Sequence, residues 1–259
     1  MNDLTENAQI NLNEGTGTFG NTAVAFKGIS KLQGGSAENT LIGSADDENT
    51  IVAGTGKTSM WGGGAGNDSM VGTTSSEKSD STSFFFAAGD GRDTISNFEF
   101  LTSENRQTAD KIDTYGGVIT DAVISGDNVI LEFGDSNDRL TITNARGKDF
   151  QVETRYTDLI IAQLDNDSLN YDGYANYYKA TNKNAAVIVN ESLTGANIWL
   201  DNNHIFSEET FDGNIKTLDA SRVDGKATLA GNTENNYITA AKGDSSLWSG
   251  NYATAMILL

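Results

Sequence analysis

The chain has 259 residues, with 36 Asp and Glu against 17 Lys and Arg, and its formal net charge is −19. So acidic a chain repels phosphate backbones and anionic membranes, which argues against nucleic acid as a partner. It has no cysteine, and therefore no disulfide framework or thiolate metal site, and its single histidine excludes zinc chemistry of the H-E-x-x-H type.

The sequence contains no recognisable membrane span or N-terminal signal peptide. No stretch approaches the roughly 20 apolar residues that cross a bilayer. Residues 1–5 (MNDLT) have neither the basic nor the apolar segment of a signal peptide. The 28 glycines and the absence of proline favour strands and tight turns over disorder. We therefore expect an all-β chain without a transmembrane segment.

The first 31 residues alternate apolar and polar side chains as short strands do. Examples are residues 8–12 (AQINL) and 22–26 (TAVAF). We interpret residues 1–31 as β-strands that form the tail of a preceding module.

From residue 32 to about residue 98, glycine-rich or acidic turns repeatedly lead into Thr or Ser and then apolar residues. The clearest copy is residues 63–71 (GGAGNDSMV), which reads G-G-x-G-x-D-x-U-x, with U a large apolar residue. Glycine lets the backbone take positive φ and expose carbonyl oxygens, and aspartate adds a charged oxygen. Weaker copies follow a spacing of about nine or ten residues. They lie at residues 34–42, 43–52, 53–62 and 88–95, and the polar run 73–80 reads as an insertion.

This pattern resembles the calcium-binding repeats of the repeats-in-toxin (RTX) family. The resemblance implies a parallel β-roll, an RTX-like β-solenoid, over residues 32–98, with calcium ions between turns stacked one coil apart. Aspartate carboxylates and glycine carbonyls would hold these ions. The implied ligands are Gly63, Gly64, Gly66, Asp68, Gly89, Asp90, Gly91 and Asp93, together with Asp46 and Asp47 in the preceding turn. At the aspartate position the other turns offer Asn39, Glu48 and Thr58, so we expect few calcium sites.

The segments after the roll are also predicted to be β-rich. Residues 99–155, including residues 110–113, read as antiparallel strands, and they resemble the cap that ends RTX rolls. A cap is expected because an open coil exposes strand edges that pair with other chains. Residues 156–226 are predicted to be a β-rich segment that repeats the N-terminal region, and residues 227–259 to be the start of a second, truncated roll.

The end of the chain repeats its beginning at a period of about 190 residues. Residues 197–201 match 9–13, residues 229–238 match 32–41, and residues 243–250 match 56–63. The closing residues 253–258 (ATAMIL) break the glycine-aspartate pattern. We expect the chain to be a truncated piece of a longer reading frame; the alternative is a natural C-terminal export signal.

Catalytic motifs are incomplete. Residues 53–58 (AGTGKT) resemble the end of a phosphate-binding loop, but the first glycine of G-x-x-x-x-G-K-[ST] would fall on Ile51, and no helix-forming run follows. His204 lies in a polar turn, and no G-x-S-x-G element occurs. We predict that the chain is not an enzyme.

The sequence thus predicts a calcium-binding structural or adhesive segment of a secreted or cell-surface RTX-like protein that folds on binding calcium outside the cell. The resemblance implies type I secretion, and it leaves adhesin, surface-layer and toxin-like roles open. The alternatives are a carbohydrate-binding β module or the non-catalytic part of a secreted toxin or hydrolase. Further partners compatible with this role are cell-surface glycans or other copies of the module. The aromatic residues that favour the carbohydrate alternative are Trp61, Trp199, Tyr171, Tyr174, Tyr177 and Tyr178.

Overall fold

The computed structural model shows an all-β protein in which most neighbouring strands are parallel. It describes residues 5–45, 47–73, 81–102, 105, 108–115, 117, 119–133, 137–154, 158–164, 168–171, 177–180, 185–189, 195–199, 209–211, 215–221, 223, 225–233, 235–249 and 255–258. Within these ranges there are 26 strands and no helix, hence no helix that could serve as a membrane span. The chain divides into two compact units, Met1–Asp158 and Leu159–Leu259.

Unit 1 is built from short strands of three to seven residues. In chain order they are β1 (Ala8–Asn11), β2 (Thr16–Phe19), β3 (Thr22–Ala25), β4 (Lys31–Gln33), β5 (Asn39–Ile42), β6 (Thr50–Val52), β7 (Thr58–Trp61), β8 (Ser69–Val71), β9 (Thr82–Phe85), β10 (Arg92–Ser96), β11 (Lys111–Asp113), β12 (Ile119–Ser125), β13 (Asn128–Phe133), β14 (Arg139–Ile142) and β15 (Phe150–Glu153).

These strands form two sheets. The first sheet has the order β3-β2-β1-β5-β7-β9-β11-β15; its first three strands are antiparallel and every later pair is parallel. The second sheet has the order β4-β6-β8-β10-β14-β13-β12, and only its last three strands are antiparallel. From β4 to β11, consecutive strands therefore alternate between the sheets, and each pairs with the strand two places along the chain.

The two sheets of unit 1 bury a layer of apolar side chains between them. Side chains alternate in direction along a strand, so each stacked strand points an apolar residue to the interior and that residue's immediate neighbours mostly outward. In the first sheet the paired inward residues are Leu41, Met60, Phe84, Ile112 and Val152. In the second sheet they are Ile51, Met70, Ile95 and Ile142. All nine are fully or almost fully buried, so each coil adds one matched layer to a thin core.

Unit 2 also consists of parallel strands in its described residues. They are β16 (Asp158–Leu164), β17 (Ser168–Tyr171), β18 (Tyr177–Ala180), β19 (Ala185–Val189), β20 (Gly195–Trp199), β21 (Glu209–Phe211), β22 (Ile215–Asp219), β23 (Lys226–Ala230), β24 (Asn236–Thr239), β25 (Ser245–Trp248) and β26 (Ala255–Leu258). One set has the order β16-β18-β21-β20-β23-β25, and the other β17-β19-β22-β24-β26.

Two turns of unit 2 reproduce hydrogen bonds of unit 1, as the internal repeat predicts. The N–H of Asn232 donates to Asn236 Oδ1 at 3.0 Å, and the N–H of Gly35 donates to Asn39 Oδ1 at the same distance. In the second turn, Ser245 Oγ donates to the carbonyl of Gly243 at 3.3 Å. This bond is the counterpart of the 3.0 Å bond from Thr58 Oγ1 to the carbonyl of Gly56. The sequence match therefore corresponds to a local structural match.

Two sequence-based expectations need correction. Lys111–Asp113 is not antiparallel: it pairs parallel with β9 and β15, because it continues the first sheet, and only β12, β13 and β14 turn back on one another. Tyr178 also does not belong to an exposed aromatic surface. Tyr171 and Tyr178 lie on strands of different sheets, and Tyr178 is 2% exposed in the unit 2 core. Tyr174 lies outside the described residues.

Candidate metal centre

A polar residue precedes most inward apolar residues of unit 1 by two positions, and its side chain also points inward. Because the coils stack in register, these residues form two columns, one at the N-terminal ends of the strands of each sheet. The first-sheet column comprises Asn39, Thr58, Thr82 and Asp110. The second-sheet column comprises Asn49, Asp68 and Asp93. All seven side chains are buried.

Successive residues of the second-sheet column are joined by hydrogen bonds from one coil to the next. The N–H of Asn49 donates to Asp68 Oδ1 at 2.7 Å, and the N–H of Asp68 donates to Asp93 Oδ1 at 2.9 Å. The side-chain amide of Asn49 also donates to Asp68 Oδ1, at 3.1 Å. Each aspartate thus uses one oxygen to hold the backbone of the preceding coil.

The second oxygen of each aspartate has a different environment. Asp68 Oδ2 and Asp93 Oδ2 are buried and accept no hydrogen bond from any residue that the structure describes. Both oxygens converge on Gly62: a β-carbon there would collide with Asp68 Oδ2 and lie 2.8 Å from Asp93 Oδ2. Buried polar atoms are normally paired, so two such oxygens facing one point make this the candidate cation site among the described residues.

Electrostatics at this point disfavour ionised carboxylates in the absence of a cation. Burial raises the pKa of Asp93 from 3.8 to about 8; the Asp68 N–H lowers it, and the charges of Asp68, Asp90 and Asp138 raise it further. Burial also raises the pKa of Asp68, opposed by the hydrogen bonds from Asn49, and burial raises the pKa of Asp90. A bound cation would reverse this preference because it stabilises the ionised form.

The glycines of the turns let adjacent coils approach closely at their backbones. A β-carbon on Gly64 would lie 2.7 Å from the carbonyl oxygen of Ala45, and one on Gly66 would lie 2.7 Å from that of Asp47. Gly63 has a φ of 115° and faces the carbonyls of the same preceding turn. Carbonyl oxygens of one turn therefore point at the next turn without a side chain between them, in the way that oxygen-ligand cation sites require.

The next turn of the stack, before β10, also contacts its neighbours closely. Gly91, with a φ of 84°, faces the carbonyl oxygen of Ala65. The N–H groups of Gly89 and Gly91 donate to the Asp138 carboxylate at 2.7 and 3.2 Å. Asp138 follows the antiparallel strands β12 and β13 and directly precedes β14. Its carboxylate thus connects this part of the chain to the turn before β10.

The structure places the described ligand candidates in successive turns of one stack. Gly63, Gly64, Gly66 and Asp68 share one turn, and Gly91 and Asp93 lie in the next turn of the same stack. Asp90 is buried, but its Oδ2 already accepts the N–H of Ala87 at 2.6 Å and the indole N–H of Trp61 at 2.7 Å. Gly89 has a φ of 99°, and a β-carbon added there would meet no described atom within 4 Å, so glycine is favoured at this position by its backbone conformation and not by close packing.

The preceding turn holds the other two predicted ligands. Asp47 is exposed, and its backbone carbonyl faces Gly66 of the next coil. Asp46 lies outside the described residues. The residue aligned with Asp68 is Asn49, not Glu48, because Thr50 pairs with Ser69. The expectation that Glu48 occupies the aspartate position was wrong by one residue.

The first-sheet column satisfies its own hydrogen bonds. The Asn39 amide donates to the carbonyls of Gly35 and Ala37 at 3.1 and 2.7 Å and approaches Thr58 Oγ1 at 3.4 Å. The two oxygens of Asp110 accept the N–H groups of Thr82 at 2.7 Å and Glu99 at 2.9 Å. Nothing in this column calls for an added cation.

Three contributors were missed from the sequence: Asn49, Gly62 and Asp138. A positional signal for Asn49 and Asp138 is present, since each stands two residues before a buried apolar residue, Ile51 and Leu140. In the described part of the chain, no three His, Cys, Asp or Glu side chains form a metal-binding group. A cation held here would therefore need backbone carbonyl oxygens in addition to carboxylates.

Comparison with known proteins adds no relative. No family model matches the chain, and no curated protein has a significantly similar sequence.

Proposed function

We propose that this chain binds calcium ions between stacked turns of unit 1 and that the ion has a structural role. The observation that carries the proposal is the pair of buried oxygens, Asp68 Oδ2 and Asp93 Oδ2, which lack a partner among the described residues and converge on Gly62. A cation between them would supply the missing positive charge.

Calcium is the cation that the donor set favours. Calcium takes several oxygen ligands from carboxylates and backbone carbonyls in flexible geometry, and those are the donors at these turns. Softer metals prefer sulfur or imidazole, and the chain has no cysteine and one histidine. The ligands that we assign are Asp68 and Asp93, supported by carbonyl oxygens of the glycine turns.

We also propose that unit 1 is an RTX-like parallel β-roll. Support comes from the alternation of consecutive strands between two sheets, from the pairing of positions 19 residues apart in the first coils, and from the glycine-aspartate turns at one edge. Repeats of this kind bury a core only by stacking on their neighbours. A cation between the turns would therefore stabilise coil stacking.

In this proposal the chain is a non-catalytic segment of a secreted or cell-surface protein. Extracellular calcium modules have dissociation constants of about 10⁻⁴ to 10⁻³ M, so such sites fill outside the cell and stay largely empty in the cytoplasm. Repulsion among carboxylates in a chain of net charge −19 also favours folding outside the cell, because it opposes compaction until cations bind.

The test is thermal unfolding of the full chain with calcium and with a chelator. We expect calcium to raise the melting temperature; one site at a hundredfold excess over its dissociation constant contributes about 2.7 kcal/mol. Terbium provides a second readout, since Trp61 directly precedes Gly62 and can sensitise terbium luminescence there.

Two variants and a matched control locate the site. Asp68→Asn and Asp93→Asn should each reduce the calcium-induced shift and the terbium signal. Asp47→Asn removes the same charge from an exposed side chain in the neighbouring turn and should leave both unchanged. Coincident melts with and without calcium, or equal losses in all three variants, would show that the assignment is wrong.

A further inference from the structure

An aromatic cluster on the outer face of the first sheet supplies none of the ligands assigned to the metal centre. Trp61 and Phe85 are paired neighbours at the ends of β7 and β9, and both side chains point outward. Tyr115, two residues after β11, stacks on Trp61 with ring centroids 6.1 Å apart and an interplanar angle of 18°. Its ring also meets the Phe85 ring edge-on at 6.3 Å. We call Trp61, Phe85 and Tyr115 the aromatic platform.

The fold does not require aromatic residues at these positions. The second sheet offers equivalent outward positions at the ends of β6, β8 and β10, and they carry Val52, Val71 and Ser96. The same architecture is thus maintained with small side chains on one face. Tyr115 is moreover 72% exposed, so burial of its ring adds little to the core. Exposed aromatic residues that the core does not need indicate a binding surface.

The platform is held in place before any ligand arrives. Tyr115 has a φ of 51°, a conformation that is uncommon for a bulky residue. The carboxylate of Asp113 stabilises it by accepting the Tyr115 N–H at 2.8 Å. The Trp61 ring is fixed by its indole N–H, which donates to buried Asp90 at 2.7 Å. Fixing rings in advance lowers the conformational entropy lost on binding.

The charges around the platform disfavour an anionic ligand, because the net charge of the chain is −19. A cation would have to compete with the partners that nearby carboxylates already have: Trp61 and Ala87 donate to Asp90, the Tyr115 N–H donates to Asp113, and Lys111 Nζ lies 3.0 Å from Glu153. What the surface offers is an exposed ring face beside polar side chains, which suits an amphipathic, uncharged ring.

We propose that the aromatic platform binds a neutral hexose-containing glycan. The sugar ring stacks its apolar face on Tyr115, and its hydroxyl groups reach the polar side chains of the neighbouring strands, Asp113 and the Lys111–Glu153 pair. This site lies outside the acidic turns and does not rest on the proposed function, because none of the three rings is a calcium ligand in that assignment.

The experiment titrates the full chain, in calcium, with neutral hexose oligosaccharides of the gluco, galacto and manno series. Binding is followed by calorimetry and tryptophan fluorescence. Tyr115→Gly removes the ring and accepts the positive φ without strain, and we expect it to weaken binding at least about tenfold, on the order of 1.4 kcal/mol. Tyr115→Phe keeps the ring face and should bind like the unmodified chain.

Tyr237→Ala is the matched control, because Tyr237 is another exposed tyrosine, 54% accessible, in unit 2. It should leave binding unchanged. The proposal is overturned if no neutral oligosaccharide binds, if Tyr115→Gly and Tyr237→Ala weaken binding equally, or if tetramethylammonium binds at Tyr115 in place of a sugar. Unchanged melting temperatures in both tyrosine variants establish that the loss of binding is local.

Discussion

The two polar columns of unit 1 have the same backbone positions and different chemistry. In the first-sheet column, Asn39 accepts the Gly35 N–H with its oxygen and returns two hydrogen bonds with its amide. In the second-sheet column, Asp68 and Asp93 accept backbone N–H groups equally well but leave a second oxygen unpaired among the described residues. The Asn39 amide therefore completes its turn by itself, whereas Asp68 and Asp93 each leave one buried oxygen without a donor among the described residues. An amide at either aspartate position could still accept the backbone N–H, so the fold does not account for the second oxygen.

The strongest way to break the comparison is to replace Asn39 of the first-sheet column with a carboxylate. Asn39→Asp removes the hydrogen bonds that the amide donates to the carbonyls of Gly35 and Ala37 and to Thr58 Oγ1, and it buries a charge beside those carbonyls. An uncompensated buried charge costs about 3–5 kcal/mol. We expect a loss of that order in denaturant-induced unfolding.

Asn39→Ser is the matched control, since it removes the same amide without adding charge. A loss in Asn39→Asp no larger than in Asn39→Ser would mean that the column tolerates charge and that the two columns do not differ as described.

The reverse exchange, an amide in place of a carboxylate in the second-sheet column, should change stability in opposite directions without and with calcium. Asp93→Asn retains an oxygen for the Asp68 N–H and replaces the unpaired Oδ2 with an amide that can donate to Asp68. Without calcium we expect stabilisation by about 1–3 kcal/mol, the penalty of an unsatisfied buried group. With calcium the variant should be less stable than the unmodified chain.

Paired melts in chelator and in calcium measure both effects. Destabilisation of the same size in both conditions would indicate that Asp93 contributes only through packing.

A pH titration of the calcium-free chain, in chelator, tests the buried carboxylate of Asp93 in the second-sheet column. Folded Asp93 has a pKa of about 8, and the unfolded carboxyl ionises near 3.8, so the folded state binds more protons between these values. Stability contributed by this group is then fully present below pH 3.8 and is lost as the pH rises through about 8. We expect the melting temperature of the calcium-free chain to fall across that window. The slope should flatten in Asp93→Asn, and an unchanged slope there would assign the titration to another group.

The smallest effect is expected from the surface of the same turns. Lys57 Nζ lies 3.7 Å from Glu38, and both side chains are more than half exposed. Exposed pairs of this kind contribute about 0–1 kcal/mol. Lys57→Ala should therefore change the unfolding free energy by less than about 1 kcal/mol and leave the calcium shift intact. A clear loss of the shift would show that Lys57 substitutes for a cation between coils.

Local chemistry made part of this architecture predictable. The glycines and aspartates of residues 63–68 were identified because a turn that contacts its neighbour leaves no room for β-carbons, and that constraint appears directly in the sequence. The short strands were identified because each carries one inward apolar residue. The RTX assignment and calcium binding remain predictions.

Long-range pairing was harder to predict. Alternation along Lys111–Asp113 indicates a strand but does not specify its partner, and the strand proved to be parallel to β9. Asp138 reaches Gly89 across 49 residues, so no local motif links them. Asn49 was missed in favour of Glu48 because an acidic side chain was sought, whereas the position is defined by its distance from the buried Ile51.

The bonds from backbone N–H groups to Asp68, Asp93, Asp110 and Asp138 all run in one direction along the chain. Asn49 donates to Asp68, Asp68 to Asp93, Thr82 to Asp110 and Gly89 to Asp138, and in each bond the donor precedes the acceptor. Each turn is therefore completed by the coil that follows it, so the stack has a polarity. Trimming the stack from its later end would strip buried N–H groups of these carboxylate acceptors. Trimming from its earlier end would leave the carboxylate bonds intact and remove only backbone acceptors, such as the Asn49 carbonyl that accepts the Ser69 N–H at 2.8 Å. During synthesis, every newly added coil closes the one made before it.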